Sequence, residues 1–492
     1  MKYKDLIIVD RSSELNFKIE GAEIVSAKRY LMDEIYQNLN SARVFNFCSN
    51  MTYQGFGYYV SLLAQARKHR IMPAPMTIQD LKSPTIRNVF STENSELIHR
   101  KLKKIKGDSF ELSIYFGQNL ALIYEELAHK IFAFYHAPLL RVTFEKEDGR
   151  WEIAAVKVLT LKEVPQEHWP FMAKAASEYF SARPYRLKGQ KQYNYDLAIL
   201  HNPEDSSAPS NAKALKKFIK VGNELGMYVE LITKDDANRL LEFDALFIRE
   251  TTNVNHHTYR MARKAEAEGL IVIDDPESIL RCSNKVYLEE MLKRHNIPRP
   301  KTAILHKDNV DEVFESVGKN GPSILKSPDS AFSKGVYKVT NKLDFYVKAA
   351  ELLKRSDLVI AQEYVPTDFD WRIGVLNNRF LFACKYYMAQ GHWQIVKNDS
   401  KGECDFGDFE AVPIEQVPEK ILKASLSAAN IIGKGLYGVD IKQSGKKVYL
   451  IEVNDNPNID AGVEDKILGE ELYYKVMGHF LYLLNKQRKI HE

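Results

Sequence analysis

Near the C-terminus two apolar stretches flank a turn, and the second carries a carboxylate inside what reads as a buried strand. Gly438-Val439-Asp440-Ile441 opens one strand, Ser444-Gly445-Lys446 supplies turn chemistry, and Val448-Tyr449-Leu450-Ile451-Glu452-Val453-Asn454 runs back. Side chains alternate along a strand, so Glu452 and Asn454 share a face. A carboxylate there is costly unless positive charge meets it. Register adds a constraint. For Asp440 to join that face it must pair opposite Leu450, which takes a three-residue loop, Ser444 to Lys446. A two-residue turn puts Asp440 opposite Tyr449, on the other face. Two carboxylates and an amide oxygen on one face suit Mg²⁺ or Mn²⁺, not zinc. The plainer alternative is an edge hairpin with solvated acids. Against it, Leu450 to Val453 is too apolar for an edge, and the polar turn Asn454-Asp455-Asn456-Pro457 follows directly.

A chain of 492 residues exceeds one core and suggests about three domains. Its formal net charge of +4 is small for this size and makes no case for nucleic-acid binding. Cys48, Cys282, Cys384 and Cys404 have no C-x-x-C spacing, which fits a reducing cytoplasm. No apolar run is long enough for a membrane span, and the N-terminus lacks the pattern of a targeting segment. A cytoplasmic protein without a membrane partner is expected.

Strands are expected at Leu6 to Val9, Glu23 to Val25, Ala42 to Phe47, and over 111–116 and 152–159. Helices are expected over 58–68, near 118–129, and over 170–181. Tyr53-Gln54-Gly55-Phe56-Gly57 is neither a P-loop nor a dinucleotide fingerprint and reads as a tight structural turn. Arg183 to Gln192 reads as a linker. From Tyr195 strand and helix alternate, with strands at 196–200, 228–232 and 245–248. Arg249 stands at the C-terminal end of the last of these, where such sheets meet ligands. A local pairing with Glu250 or Glu242 is its simpler reading. His256 and His257 are adjacent, so they should diverge at a helix start and serve as capping or surface residues. Lys285 lies in the first turn of a helix capped by Ser283 or Asn284. A cation opposes the helix dipole there unless an anion sits nearby.

Lys285, Lys326, Gln362-Glu363-Tyr364-Val365, Asp370-x-Arg372, Gly438-Val439-Asp440 and Glu452-Val453-Asn454 occur in the order and spacing of the ATP-grasp ligases. Over roughly 195–487 the chain resembles the RimK-like branch, and residues before it resemble the N-terminal domain that precedes some of these modules. The resemblance implies an α/β, α+β ATP-grasp fold in three parts. These are an N-terminal domain over 1–190, a small α/β domain over 195–282, and a catalytic module over 283–492 with lobes at about 283–364 and 365–492. It implies an ATP- and Mg²⁺-dependent ligase that activates a carboxylate as an acyl phosphate and couples it to an amine, adding an amino acid such as glutamate. A phosphotransferase or a non-turning-over Mg–ATP sensor would use the same cradle.

The resemblance also implies site residues. Lys285 and Lys326 would meet the nucleotide, and Gln362, Glu363, Tyr364 and Val365 would form the adenine hinge. Asp368 or Asp370 would meet the ribose, and Arg372 would clamp the transferring phosphoryl group. Lys385 would face nucleotide or donor, and Arg249 the acceptor or acyl phosphate. Asp440, Glu452 and Asn454 would hold the metal. The loop Ser327 to Gly335 would cover the triphosphate, yet it keeps only Gly335 and offers Ser330 and Ser333 where relatives are richer in glycine. The implied partners are a carboxylate-bearing amino acid or peptide and an amine acceptor, in a possible homo-oligomer.

Overall fold

Leu6-Ile7-Ile8-Val9 is fully buried without alternation, as a strand covered on both faces requires. Ile7 and Val9 enter one apolar cluster, Leu6 and Ile8 the other. A computed structural model describes residues 4–14, 22–39, 42–147, 149–181, 193–205, 207–329, 335–389, 393–398 and 404–489 of the chain. It divides into two units: Met1–Asn194 with Asp235–Glu242 and Asn485–Glu492, and Tyr195–Lys234 with Phe243–Leu484.

In the first unit Lys4–Val9 lies between Ala22–Ser26 and Ala42–Asn46, with Arg70–Met72 beyond, all parallel. An antiparallel sheet of Ser109–Tyr115, Leu139–Glu147 and Arg150–Val158 follows. The helix expected near 118–129 instead spans Glu125–Tyr135. Residues before it are held in a turn: Tyr115 and Gln118 exchange backbone hydrogen bonds, and the Asn119 side chain accepts from the Ala121 amide. At 53–57 the chain makes a tight turn closed by Gly57 N donating to the Asn50 carbonyl. The linker expected over 183–192 lies outside the described residues.

The second unit starts with a parallel sheet ordered Ile271–Ile273, Ala245–Ile248, Tyr195–Leu200, Met227–Ile232. Two antiparallel sheets follow. One is ordered Thr302–Leu305, Val359–Glu363, Ser323–Lys326, Val336–Val339. The other is ordered Phe409–Ala411, Arg379–Tyr387, Phe369–Leu376, Leu436–Ser444, Lys447–Asn454. The helix Glu419–Ile432 buries Ile421, Ala424, Ala428 and Ile432 in a cluster with Ile373, Val439, Leu450 and Val453 from the last of these sheets.

The register expected for the C-terminal hairpin is corrected. Ser444 pairs with Lys447, so the turn is the two residues Gly445 and Lys446, with Gly445 at φ +60. Uninterrupted, that turn would set Ile451 opposite Asp440. A bulge makes Ile451 the extra residue and brings Glu452 opposite Asp440 instead. Leu450 and Val453, three apart, are thereby both buried, and Glu452 faces the same way as Asp440. The parity the face requires comes from the bulge, not from a longer loop.

Candidate functional site

Two of the strands in the five-stranded sheet carry the same short pattern, an acid and then a base two residues on: Asp370-x-Arg372 and Asp440-x-Lys442. The strands run antiparallel, with Arg372 opposite Asp440 and Trp371 opposite Ile441, so each acid meets the other strand's base. Arg372 forks onto Asp440, Nε to Oδ1 at 2.7 Å and Nη2 to Oδ2 at 2.7 Å. Lys442 Nζ lies 2.6 Å from Asp370 Oδ1, which also accepts from Thr367 at 3.0 Å. Burial opposes the charge on Arg372, yet Asp440 keeps the guanidinium more firmly protonated than usual. Burial raises the Asp370 carboxyl, with Lys442 pulling against it. Lys442 is a site residue that sequence reasoning misses, although its alternation with Asp440 is a readable signal.

The opposing wall comes from a helix start and a strand end. Asn284 caps the helix Lys285–Arg294, its side-chain oxygen accepting from the Val286 and Tyr287 amides. Lys285 follows at the first helical position, where the dipole disfavours it, and its Nζ meets Glu452 Oε1 at 3.0 Å. Lys326 ends its strand buried and donates to Gln362 Oε1 at 2.9 Å. Burial pushes the Lys326 ammonium down to about 8, with Glu452 opposing that shift and Lys285 and Lys442 adding to it. Burial also pushes the Glu452 carboxyl up, but Lys285, Lys326 and Arg372 together pull it below its ordinary range. Asn454 donates to Asp440 Oδ2 at 3.2 Å and to the Gly438 carbonyl at 3.3 Å. Asp440, Glu452 and Asn454 thus converge with Lys285, Lys326 and Arg372 around them.

The remaining expected residues are engaged locally. Gln362 bridges Lys326 and Thr302. Glu363 accepts from the Lys301 amide at 2.9 Å and returns its own amide to the Lys301 carbonyl. Tyr364 donates its amide to the Pro322 carbonyl and stacks edge-on with Trp393, while Lys338 sits 3.7 Å above its ring. Val365 is buried beside it. Lys385 pairs with Glu410 at 3.1 Å and lies over the Phe369 and Trp371 rings. Gly335 adopts φ +73, and its carbonyl accepts from the Ser327 amide at 2.9 Å. Ser330 and Ser333 lie outside the described residues.

Arg249 is fully buried and pairs with neither Glu250 nor Glu242 through its side chain. Its guanidinium donates to Ser210 Oγ, Asn456 Oδ1 and the carbonyls of Pro209 and Pro457. Those bonds tie the turn after Asn454 to the loop before the helix Ala212–Glu224. Burial lowers its pKa to about 10, with Asp274, Asp460 and Glu464 opposing. Beside this clamp, burial raises Asp455 to about 7 and Glu464 to about 7; Glu464 accepts from the Tyr386 hydroxyl, and Arg372 lies 5.2 Å from the Tyr386 ring.

The donor set tests which cation fits. Asp440, Glu452 and Asn454 offer oxygen alone, without imidazole or thiolate, which suits a hard divalent ion. The fixed cations around them suit a polyphosphate.

Residues 27–175 match the RimK-like ATPgrasp N-terminal domain, and residues 282–476 match the RimK-like ATP-grasp domain. The chain is 29% identical over 256 residues to the alpha-aminoadipate–LysW ligase LysX of Saccharolobus solfataricus, covering 49% of this chain and 88% of that one. It is 27% identical over 229 residues to a probable alpha-L-glutamate ligase of Vibrio vulnificus, covering 46% and 72%. A D-alanine–D-alanine ligase structure from Bacillus anthracis aligns with 61% of this chain and 100% of its own, at TM-score 0.45 and 16% identity. Among the described residues no helix is long and apolar enough to cross a membrane. With both of its signature domains present in order, the chain belongs to the RimK-like ATP-grasp family, whose nucleotide is ATP.

Proposed function

We propose that the protein is an ATP-dependent carboxylate–amine ligase that extends a peptide, protein or small amine by an amino acid of the glutamate type. The convergence of Lys285, Lys326 and Arg372 on Asp440 and Glu452 carries this reading. Fixed positive charge and paired carboxylates stand together there, as phosphoryl transfer requires. The named activities of the relatives support an amino-acid substrate. In the reaction a substrate carboxylate oxygen attacks the γ-phosphorus of ATP, and ADP leaves. The amine then attacks the acyl carbon, phosphate departs, and the amine loses a proton. The chain supplies no nucleophile; it orients and stabilises.

Asp440, Glu452 and Asn454 would hold Mg²⁺, which when bound neutralises charge on the phosphates. Lys285, Lys326 and Arg372 exchange their present carboxylate and amide partners for phosphate oxygens. Gln362 to Val365 would border the purine, Asp368 or Asp370 the ribose, and Lys385 the nucleotide or donor. Gly335 would belong to the covering loop. Arg249 acts through the turn it holds, not by touching the reacting atoms. The residue ranges 1–190, 195–282 and 283–492 are read as N-terminal, linking α/β and catalytic domains. A reducing cytoplasm suits Cys48, Cys282 and Cys384, which are buried and unpaired.

Product analysis tests the reading. Incubation with ATP and an amino-acid pool should yield ADP, phosphate and an amide, and only when donor and amine are both present. Appearance of AMP and pyrophosphate would overturn it. Glu452→Gln should keep the fold, read by circular dichroism, and abolish ATP turnover. Full turnover in that variant refutes the metal assignment.

A further inference from the structure

At the C-terminal end of the parallel sheet in the second unit, a crossover leads from the strand Ala245–Ile248 to the helix His257–Ala267. It gathers three potential metal ligands. Glu250, His256 and His257 each bring one ligand atom to within 4.8 Å of the others, and among the described residues no other such group of three occurs. The divergence expected of adjacent histidines at a helix start is corrected. His256 is the N-cap, with extended backbone (φ −113, ψ 162), and His257 is the first helical residue. The change of backbone conformation between them turns the two rings together, centroids 3.8 Å apart.

A second observation points to a ligand. Glu250 is 2% exposed, and its Oε2 has no hydrogen-bond partner; His257 Nε2 is buried and lacks one too. His257 Nε2 comes within 2.6 Å of Glu250 Oε1, but without hydrogen-bond alignment. Unmet buried polar atoms of this kind are costly. His256 directs Nδ1 to Thr258 Oγ1 at 3.1 Å, the outer contact that orients a ligating imidazole through its other nitrogen. The Glu250 carbonyl accepts from Asn456 at 2.7 Å, and Thr252 donates to Asp455 at 2.8 Å, so the loop is fastened to the turn that follows Asn454.

We propose that Glu250, His256 and His257 form a site for a divalent first-row transition ion such as Zn²⁺, separate in chemistry from the all-oxygen site at Asp440 and Glu452. Two imidazoles and one carboxylate are a nitrogen-rich set that prefers such ions to Mg²⁺. The bound ion would satisfy Glu250 and His257 and stiffen the loop holding the Asn456 turn. The proposal does not depend on the ligase reading.

The full-length protein, stripped with a chelator, is titrated with Zn²⁺ against a chromophoric competitor and, separately, with Co²⁺. One equivalent should bind, with a cobalt spectrum of nitrogen and oxygen ligation and no thiolate charge-transfer band. The His256→Ala/His257→Ala variant should bind at least about 100-fold more weakly, while Glu452→Gln should retain the wild-type stoichiometry. Absence of stoichiometric binding, a thiolate band, or undiminished binding in the double variant overturns the proposal. Should circular dichroism show that variant unfolded, Glu250→Gln and the wild-type cobalt spectrum decide the matter.

Discussion

Lys326 carries its charge where the surroundings disfavour it. Burial brings its pKa down to about 8, whereas in an unfolded chain it titrates near about 10.4. Below about pH 8 both states carry the proton, and the folded state bears the cost of a buried ammonium. Between that point and about 10.4 the folded chain releases its proton first, so this group's contribution to stability improves as pH rises. In the proposed role of Lys326 against phosphate, which needs the charge, binding has the opposite sign. ATP affinity, read by calorimetry across pH, should weaken as pH rises through about 8, and Lys326→Arg should remove that inflection. Arg249 behaves differently. Its bonds tie the Asn456 turn to Pro209 and Ser210, so Arg249→Met strands buried acceptors. Chemical denaturation should show a loss of about 3 kcal/mol or more. A variant with unchanged stability but no turnover would return Arg249 to the reacting atoms.

At the level of elements, the C-terminal hairpin is legible in the sequence as two strands and a turn, and its acids as one face. The bulge is not. Nothing in Leu450-Ile451-Glu452 distinguishes an extra residue from a regular strand, because the choice is made by burial of both Leu450 and Val453 against the helix Glu419–Ile432. The helix over 125–135 starts later than its sequence suggests for a similar reason: a turn closed by Asn119 competes locally with helix, and propensity alone does not decide. Two glycines give the hairpin its form. Gly445 adopts φ +60 with open space around it, so Gly445→Val should cost about 1 kcal/mol in thermal or chemical unfolding and leave turnover intact. Gly438 is different, since a Cβ there would lie 2.7 Å from the Pro457 Cβ. Gly438→Ala should therefore displace the turn and lower kcat, a contrast that a purely conformational account would not produce.

Across the whole molecule, the apolar clusters divide with the chain. Those around Ile7 and Leu6 draw on the first unit, and those around Leu197, Ile373 and Leu325 on the second. A chain of residues 195–492 should therefore fold cooperatively and bind ATP, as thermal unfolding with and without nucleotide would report. Failure to fold would mean that the first unit supplies part of the second's core. The order of strands and helices from Tyr195 onward is readable because short buried strands alternate with amphipathic helices there. The pairing of histidines beside Glu250 is not, since it depends on one non-helical backbone angle at His256. In the proposed nucleotide cleft, the acids already have internal counterions: Arg372 occupies Asp440, and Lys285 occupies Glu452. In the proposed role, loading the cleft would be an ion exchange: Asp440 and Glu452 would hold the metal, and Arg372 and Lys285 would turn to the anion. A metal or a nucleotide arriving alone would strand one half of each pair.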